Sequence, residues 1–480
     1  MHKHTRRTRL RLAALAVALS MAGIAGAQVF IQPDLDFKGS VRATSPVVLP
    51  GSEIEVGGQG FKPGQQITLQ RGATVLNTQP YVADAEGRFT GKLAIPADAA
   101  VGVHPVVVRT SGPDAASIFE LKVSREIPVS GQDRFEVTSA KLSPGLYQVA
   151  YSAANDALFV TSAVGRPPVT QSELLKIDPQ TLEITARVTP AEAPAPEPRP
   201  GQTPPQGRGP GAGDGPRAPG LYAVYGVGVD DANGNVWVTN TRQNTVAVYR
   251  QSDLSLVKQF PVGAVSHARD VVVDAARNRA YVSASGEDFI AVFDSRTLEQ
   301  LPNITIASGV RGEKFVPTSL DLDPQTGKLY TASLATPEAA VIDTASNTVE
   351  KVIPLVNARS AIGVAWNPVG KRLLVVSQGS DNLLIVDPET GTIDHDVYVG
   401  AGALNVSYEP TRRLAYVTNR GADTVTVVDD NGRIVANLAG GSFPNHVSKG
   451  ADGVVYSVNK ARGAEDPAGD HIRRIVPKTN

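Results

Sequence analysis

From residue 135 to the C-terminus the chain repeats itself with a period close to the ~40 residues of one propeller blade, and no other feature limits its fold so tightly. Seven copies align. Each has an apolar strand, a polar turn and a second strand ending in small or polar residues, at 158–162, 236–240, 280–283, 329–332, 373–377, 415–419 and 454–457. A third strand ends in most copies on an aspartate turn, at Asp178, Asp294, Asp343, Asp387 and Asp429. A single four-stranded unit leaves both of its faces open. Seven packed radially cover them and leave only short edges. The last copy lacks a fourth strand, and residues 135–142 form a strand with no copy of their own. That strand is predicted to complete the last blade and close the ring.

Upstream, residues 41–125 show period-two alternation in short segments, such as 52–56, 66–69 and 104–108. Turns at Gly57-Gly58, Lys62-Pro63-Gly64 and 84–87 separate them. Half-buried strands at this spacing predict a β-sandwich. The fold class read from the sequence is all-β: a seven-bladed β-propeller over 134–480, preceded by a β-sandwich (Ig-like) domain over 41–125. The stretch 189–219 is rich in proline and glycine and too poor in apolar residues to build a core. It reads as a disordered insert between blades 1 and 2.

Residues 1–27 carry five basic residues (Lys3, Arg6, Arg7, Arg9 and Arg11), then an uncharged apolar run, then Ala25-Gly26-Ala27. This pattern is that of a secretory signal peptide. The apolar run is shorter than the ~20 residues a membrane span needs, so the expected location is periplasmic or secreted, with no membrane span. The chain has no cysteine. Disulfides, thiolate metal sites and cysteine nucleophiles are therefore excluded. With 46 basic and 47 acidic residues, bulk charge does not mark a nucleic-acid binder, and an anion site has to be a local patch.

The second strand Tyr416-Val417-Thr418-Asn419 matches the signature of the YVTN propeller repeat. The stretches 147–152 and 177–183 with Phe443-Pro444-Asn445-His446 resemble the YncE-like periplasmic propellers. Residues 58–64 and 83–89 resemble bacterial immunoglobulin-like domains of the IPT type, which act as spacers or docking modules. The propeller resemblance runs from residue 135 to the end. It implies a role that has been associated with single-stranded DNA.

Aligned repeats put Gln148, Gly226, Asp270, Ser319, Gly363, Asn405 and His446 at the first positions of the innermost strands, facing a central channel. Loops feeding the same end bring the aromatics Tyr147, Tyr222, Tyr225, Phe315 and Phe443, the cations Arg269, Arg311, Lys314 and Arg359, and Asn445. Aromatic platforms beside cations suit sequence-tolerant binding of single strands. The expected ligand is single-stranded DNA or another extended anion, held by Tyr147, Gln148, Tyr222, Tyr225, Arg269, Asp270, Arg311, Lys314, Phe315, Arg359, Asn405, Phe443, Asn445 and His446. No cofactor, metal or catalytic residue is assigned. Two other functions stay open. One is an envelope scaffold that engages proteins through the Ig-like domain or the Pro-rich loop. The other, behind it, is a lactonase-type hydrolase using His267, Asp270 and His446.

Overall fold

The computed structural model describes Asp34, residues 36–194 and residues 219–478. The leader read at 1–27 and most of the insert read at 189–219 lie outside the described residues. The chain divides into two compact units. The smaller comprises Gly57–Gly91, Val106–Phe119 and the described residues up to Val41; the larger comprises Arg42–Val56, Lys92–Pro105 and everything from Glu120 onward.

In the smaller unit, Tyr81 stacks on Phe89 at 4.9 Å, and Phe61 lies 5.6 Å from the same ring. The strand Gln66–Arg71 alternates buried and open positions, as period two requires. Asp84 closes the turn predicted at 84–87 by accepting the backbone N–H groups of Glu86 and Arg88.

The larger unit contains seven four-stranded antiparallel sheets. Blade 1 runs Leu146–Ser152, Ala157–Val164, Gln171–Ile177 and Ile184–Val188. Blades 2 to 6 begin at Val227–Asp230, Ala268–Asp274, Pro317–Asp323, Ala361–Asn367 and Ala403–Glu409. Blade 7 is built from Pro444–Lys449, Val455–Asn459, His471–Pro477 and, from the other end of the chain, Phe135–Lys141. The last two strands pair antiparallel from His471↔Lys141 to Pro477↔Phe135, as the missing fourth strand predicted. The first strands of successive blades contact one another in a closed cycle that includes blade 7 against blade 1. This is a β-propeller.

Burial follows from this radial stacking. A second strand such as Asn235–Asn240 is buried at every position, because a blade covers each of its faces. A fourth strand such as Gln300–Thr305 is mostly open. Apolar side chains collect in clusters that each draw on two neighbouring blades. Trp237, Val246 and Val248 of blade 2, for example, pack with Val271, Val282 and Phe293 of blade 3. Stability therefore accumulates junction by junction.

The hydroxyl of the repeat signature has a specific task. Thr161, Thr239, Ser283 and Thr418 accept the backbone N–H of Gln148, Gly226, Asp270 and Asn405, the first channel positions of their own blades. Thr161 and Thr239 also donate to a carbonyl of the following blade, at Tyr225 and Arg269. One buried hydroxyl thus fixes both the inner strand and the next junction. Replacing it by a methyl leaves a buried N–H without a partner. Thr239→Val is expected to destabilise the protein by about 1–3 kcal/mol, read as a lower urea midpoint with an unchanged slope. An unaltered midpoint would show that the hydroxyl does not carry the junction.

Candidate functional site

The channel opens at one end into a cavity of about 220 Å³ lined by Tyr147, Gln148, Tyr225, Gly226, Thr241, Arg242, His267, Arg269, Asp270, Ser319, Leu404, Asn405, Arg420, Asn445 and His446. Consecutive pairs recur in this set: Tyr147 with Gln148, Arg269 with Asp270, Leu404 with Asn405, Asn445 with His446. Strict alternation would send one of each pair away from the channel. The ladder slips at these places, between Leu146 and Val149, Ala268 and Val271, Ala403 and Asn405, and Pro444 and His446. A bulge places two neighbours on one side, so each of these strands contributes two side chains to the cavity.

A second cavity, of about 390 Å³, occupies the rest of the channel and shares Asp270, Ser319, Asn405 and His446 with the first. These four form the floor of the mouth pocket. Their acceptors are turned on the protein. Asp270 accepts from Ser319 Oγ at 3.0 Å, Leu320 N at 2.9 Å and Gln148 Nε2 at 3.3 Å. Asn405 Oδ1 accepts Val447 N at 3.0 Å, and Gln148 Oε1 accepts Val227 N at 2.9 Å. His446 Nδ1 accepts Val149 N at 3.4 Å, which requires a neutral ring. Burial pushes this imidazole below its ordinary value, and Arg269 pushes it further against the opposing pull of Asp270. Each of these acceptors reaches an adjacent blade or the far side of the channel. The polar first positions are thus cross-links of the ring.

The wall and rim are different. Arg242 donates Nε to the Tyr225 hydroxyl at 3.4 Å, Arg420 donates to Asn445 Oδ1 at 2.6 Å, and Lys460 donates to the Ala163 carbonyl at 3.4 Å. The Lys460 ammonium sits 4.0 Å over the Tyr147 ring, which meets Tyr225 edge-on at 4.4 Å. Among the described residues, Arg242, Arg269, Arg420 and Lys460 form no ion pair with a carboxylate. Charges of both signs act on them, with Asp270 pulling on Arg269 and Asp470 on Lys460. Burial lowers the pKa of Lys460 to about 8, and repulsion from Arg420 and Arg242 adds to the shift. Burial also lowers Arg269 and Arg420; on Arg269 the pull of Asp270 opposes this and Arg420 adds to it. His267 is lowered by burial, then by Arg242 and Arg269.

Of the residues read from the sequence, Tyr147, Gln148, Tyr225, Arg269, Asp270, Asn405, Asn445 and His446 line this cavity. The others do not. Phe315 is fully buried in the core between blades 3 and 4, beside Tyr281 and Leu329. Tyr222 is buried in the segment entering blade 2. Arg311 and Lys314 are exposed, and Lys314 pairs with Glu287 at 3.3 Å. Arg359 pairs with Glu120 of the same compact unit at 2.5 Å. Phe443 stands behind the pocket, with Arg420 and Arg462 over its ring at 4.9 and 4.5 Å.

Arg242, Arg420 and Lys460 were missed, although a signal for them exists. In the second strands, Asn240, Asn419 and Asn459 occupy equivalent repeat positions, and each donates Nδ2 to a carbonyl of the segment entering its own blade: Ala223, Val399 and Ser442. The residue just beyond this asparagine leaves the strand at the mouth. It is Arg420 in blade 6 and Lys460 in blade 7; in blade 2 it is Thr241, followed by Arg242.

No protein-family model matches the chain. A protein named YncE from Salmonella typhi, described as uncharacterised, is 26% identical over 349 residues, covering 69% of this chain and 88% of the relative. YncE of Escherichia coli K12, likewise uncharacterised, is 24% identical over 276 residues, 55% of this chain and 68% of the relative. Among solved structures, a streptogramin B lyase superposes with a TM-score of 0.51 at 13% identity, covering 72% of this chain and 98% of the lyase. Virginiamycin B lyase from Staphylococcus aureus gives 0.51 at 11% identity, with 71% and 99% covered. At these identities the solved structures share the fold. With the YncE relatives, they support a YncE-like β-propeller.

Proposed function

We propose that this chain is an exported, non-catalytic β-propeller that binds an extended anionic ligand, single-stranded DNA in the first instance, at the mouth pocket. One observation carries the reading: three guanidinium groups, Arg242, Arg269 and Arg420, line one small cavity and form no salt bridge among the described residues, with the Lys460 ammonium beside it over the Tyr147 ring. Like charges crowded in a partly desolvated site repel one another. An anion relieves that repulsion and supplies the missing hydrogen-bond acceptors. Tyr147 and Tyr225 beside them offer ring surface for a base. The reading gives the pocket no catalytic role, since His446 and Asp270 have their acceptors engaged by the ring. It also takes residues 41–125 as an Ig-like spacer or docking module and residues 1–27 as the export signal. A scaffold function, through that module or the Pro-rich insert, is the second reading.

Fluorescence anisotropy with a labelled single-stranded oligonucleotide tests the site. Binding is expected to weaken with salt. Arg242→Gln and Arg420→Gln are each expected to lower affinity by about ten- to hundredfold, since a hydrogen bond to a charged group contributes roughly 1.5–3 kcal/mol. Arg359→Gln, outside the cavity, should change it far less. Salt-independent binding, or equal losses at all three positions, would overturn the assignment.

The same site should respond to pH. Lys460, with its pKa near 8, carries its charge below that value and loses it above. Affinity should therefore fall as pH rises from 7 to 9. In Lys460→Arg, which stays charged throughout this range, the slope should flatten. An identical slope in that variant would remove Lys460 from the site.

A further inference from the structure

Resting on the anion-site reading above, we propose that the mouth pocket receives a terminal phosphomonoester, the dianionic end of a phosphorylated chain, rather than an internal phosphodiester. Three features of the pocket point this way. The first is its floor. Asp270, Ser319, Asn405 and His446 lie between the two cavities of the channel. Hydrogen bonds from Gln148 and Ser319 to Asp270, and from Val447 to Asn405, tie them in place. A strand that enters the pocket meets these four side chains at its inner end.

The second feature is size. About 220 Å³ is below the ~300–1,000 Å³ of pockets that enclose drug-sized molecules. An internal phosphodiester brings a sugar on each side of the phosphate, whereas a terminus brings one. The smaller cavity suits the phosphate group itself, with the attached sugar and base at the rim beside Tyr147 and Tyr225.

The third feature is charge. A phosphomonoester carries about −1.5 to −2 near pH 7 and offers three terminal acceptor oxygens, where a diester carries a single negative charge. Three guanidinium groups line the pocket, and the Lys460 ammonium lies beside it over the Tyr147 ring. Arg269 makes no side-chain hydrogen bond among the described residues, and Arg242 and Arg420 each use a single donor on the protein. Guanidinium forks with donors to spare match a group with three equivalent oxygens. The phosphate source is the end of an oligonucleotide or a small phosphorylated molecule; both present the same group.

The test uses the full-length protein and oligonucleotides of one sequence labelled at the 3′ end, with a 5′-phosphate or a 5′-hydroxyl. A mononucleotide 5′-monophosphate and inorganic phosphate serve as competitors. The 5′-phosphate form is expected to bind about tenfold tighter or more, a gain of ~1.4 kcal/mol, and the difference should disappear in Arg242→Gln/Arg420→Gln. If the mononucleotide binds with the same arginine dependence while neither oligonucleotide does, the terminal-phosphate site stands and its source is the small molecule. Equal affinity for the two oligonucleotides, lost in the arginine variant, overturns the terminal preference and leaves the anion site intact. Failure of every phosphate probe to bind overturns both.

Discussion

A radial array of four-stranded sheets holds only if its first and last members meet, and here they meet inside one sheet. The ladder between Phe135–Lys141 and His471–Pro477 joins the two ends of the propeller within blade 7. In an open repeat array the terminal units need caps for their exposed faces. Closing the ring removes that need and gives every blade two neighbours. The mouth pocket inherits this dependence. Lys460, from blade 7, lies over Tyr147, from blade 1, across the junction that the closure creates. A residue near position 150 and one near 460 become parts of one wall only because the ring is shut.

The mouth departs from what stability alone would select. Cations crowded side by side at a half-buried site cost free energy, and natural sequences usually break such local rules where a site demands it. The backbone shows a related departure. The residue preceding the first strand has positive φ in five blades: it is glycine in blades 1 and 6, Gly145 and Gly402, and His267, Ser360 and Phe443 in blades 3, 5 and 7. Glycine accepts this conformation readily; bulky side chains do not, at a cost of order 1–3 kcal/mol each. His267 lines the pocket, and Phe443 backs Arg420.

The fold was legible because its signal is repeated. The period, the aspartate turns and the unmatched strand at 135–142 required only counting, and the unmatched strand even announced the closure. The site was legible in part. Gln148, Asp270, Asn405 and His446 could be placed because the repeats align, but their polarity suggested ligand contacts where the structure finds bonds between blades. Phe315 was read as a loop aromatic, but its ring turns into the core between blades 3 and 4. Arg359 and Lys314 were misplaced because cation chemistry in a loop does not reveal whether a glutamate stands opposite. Arg420 and Lys460 escaped notice because they follow the strand, one position beyond the conserved-looking Thr-Asn or Val-Asn ending, where a reading of strands stops.

Donors and acceptors are divided between the floor and the rim of the pocket, and this division sets its chemistry. Gln148, Asp270, Asn405 and His446 turn their acceptors toward backbone N–H groups of other blades. At the junctions after Gly226 and Gly363 the backbones come together without a side chain; a Cβ on Gly226 would lie 2.3 Å from the Arg269 carbonyl oxygen. Inward acceptors therefore cross-link several junctions of the ring, beside the apolar clusters between blades. The guanidinium groups that line the cavity keep unused capacity, and they only donate. A ligand that seeks donors, and so brings acceptors and negative charge, is complementary to that wall. A cation or a neutral donor is not. The preference for anions follows from how the blades are fastened together, since the bonds that hold the floor also remove its carboxylate and carbonyl oxygens from competition with the ligand.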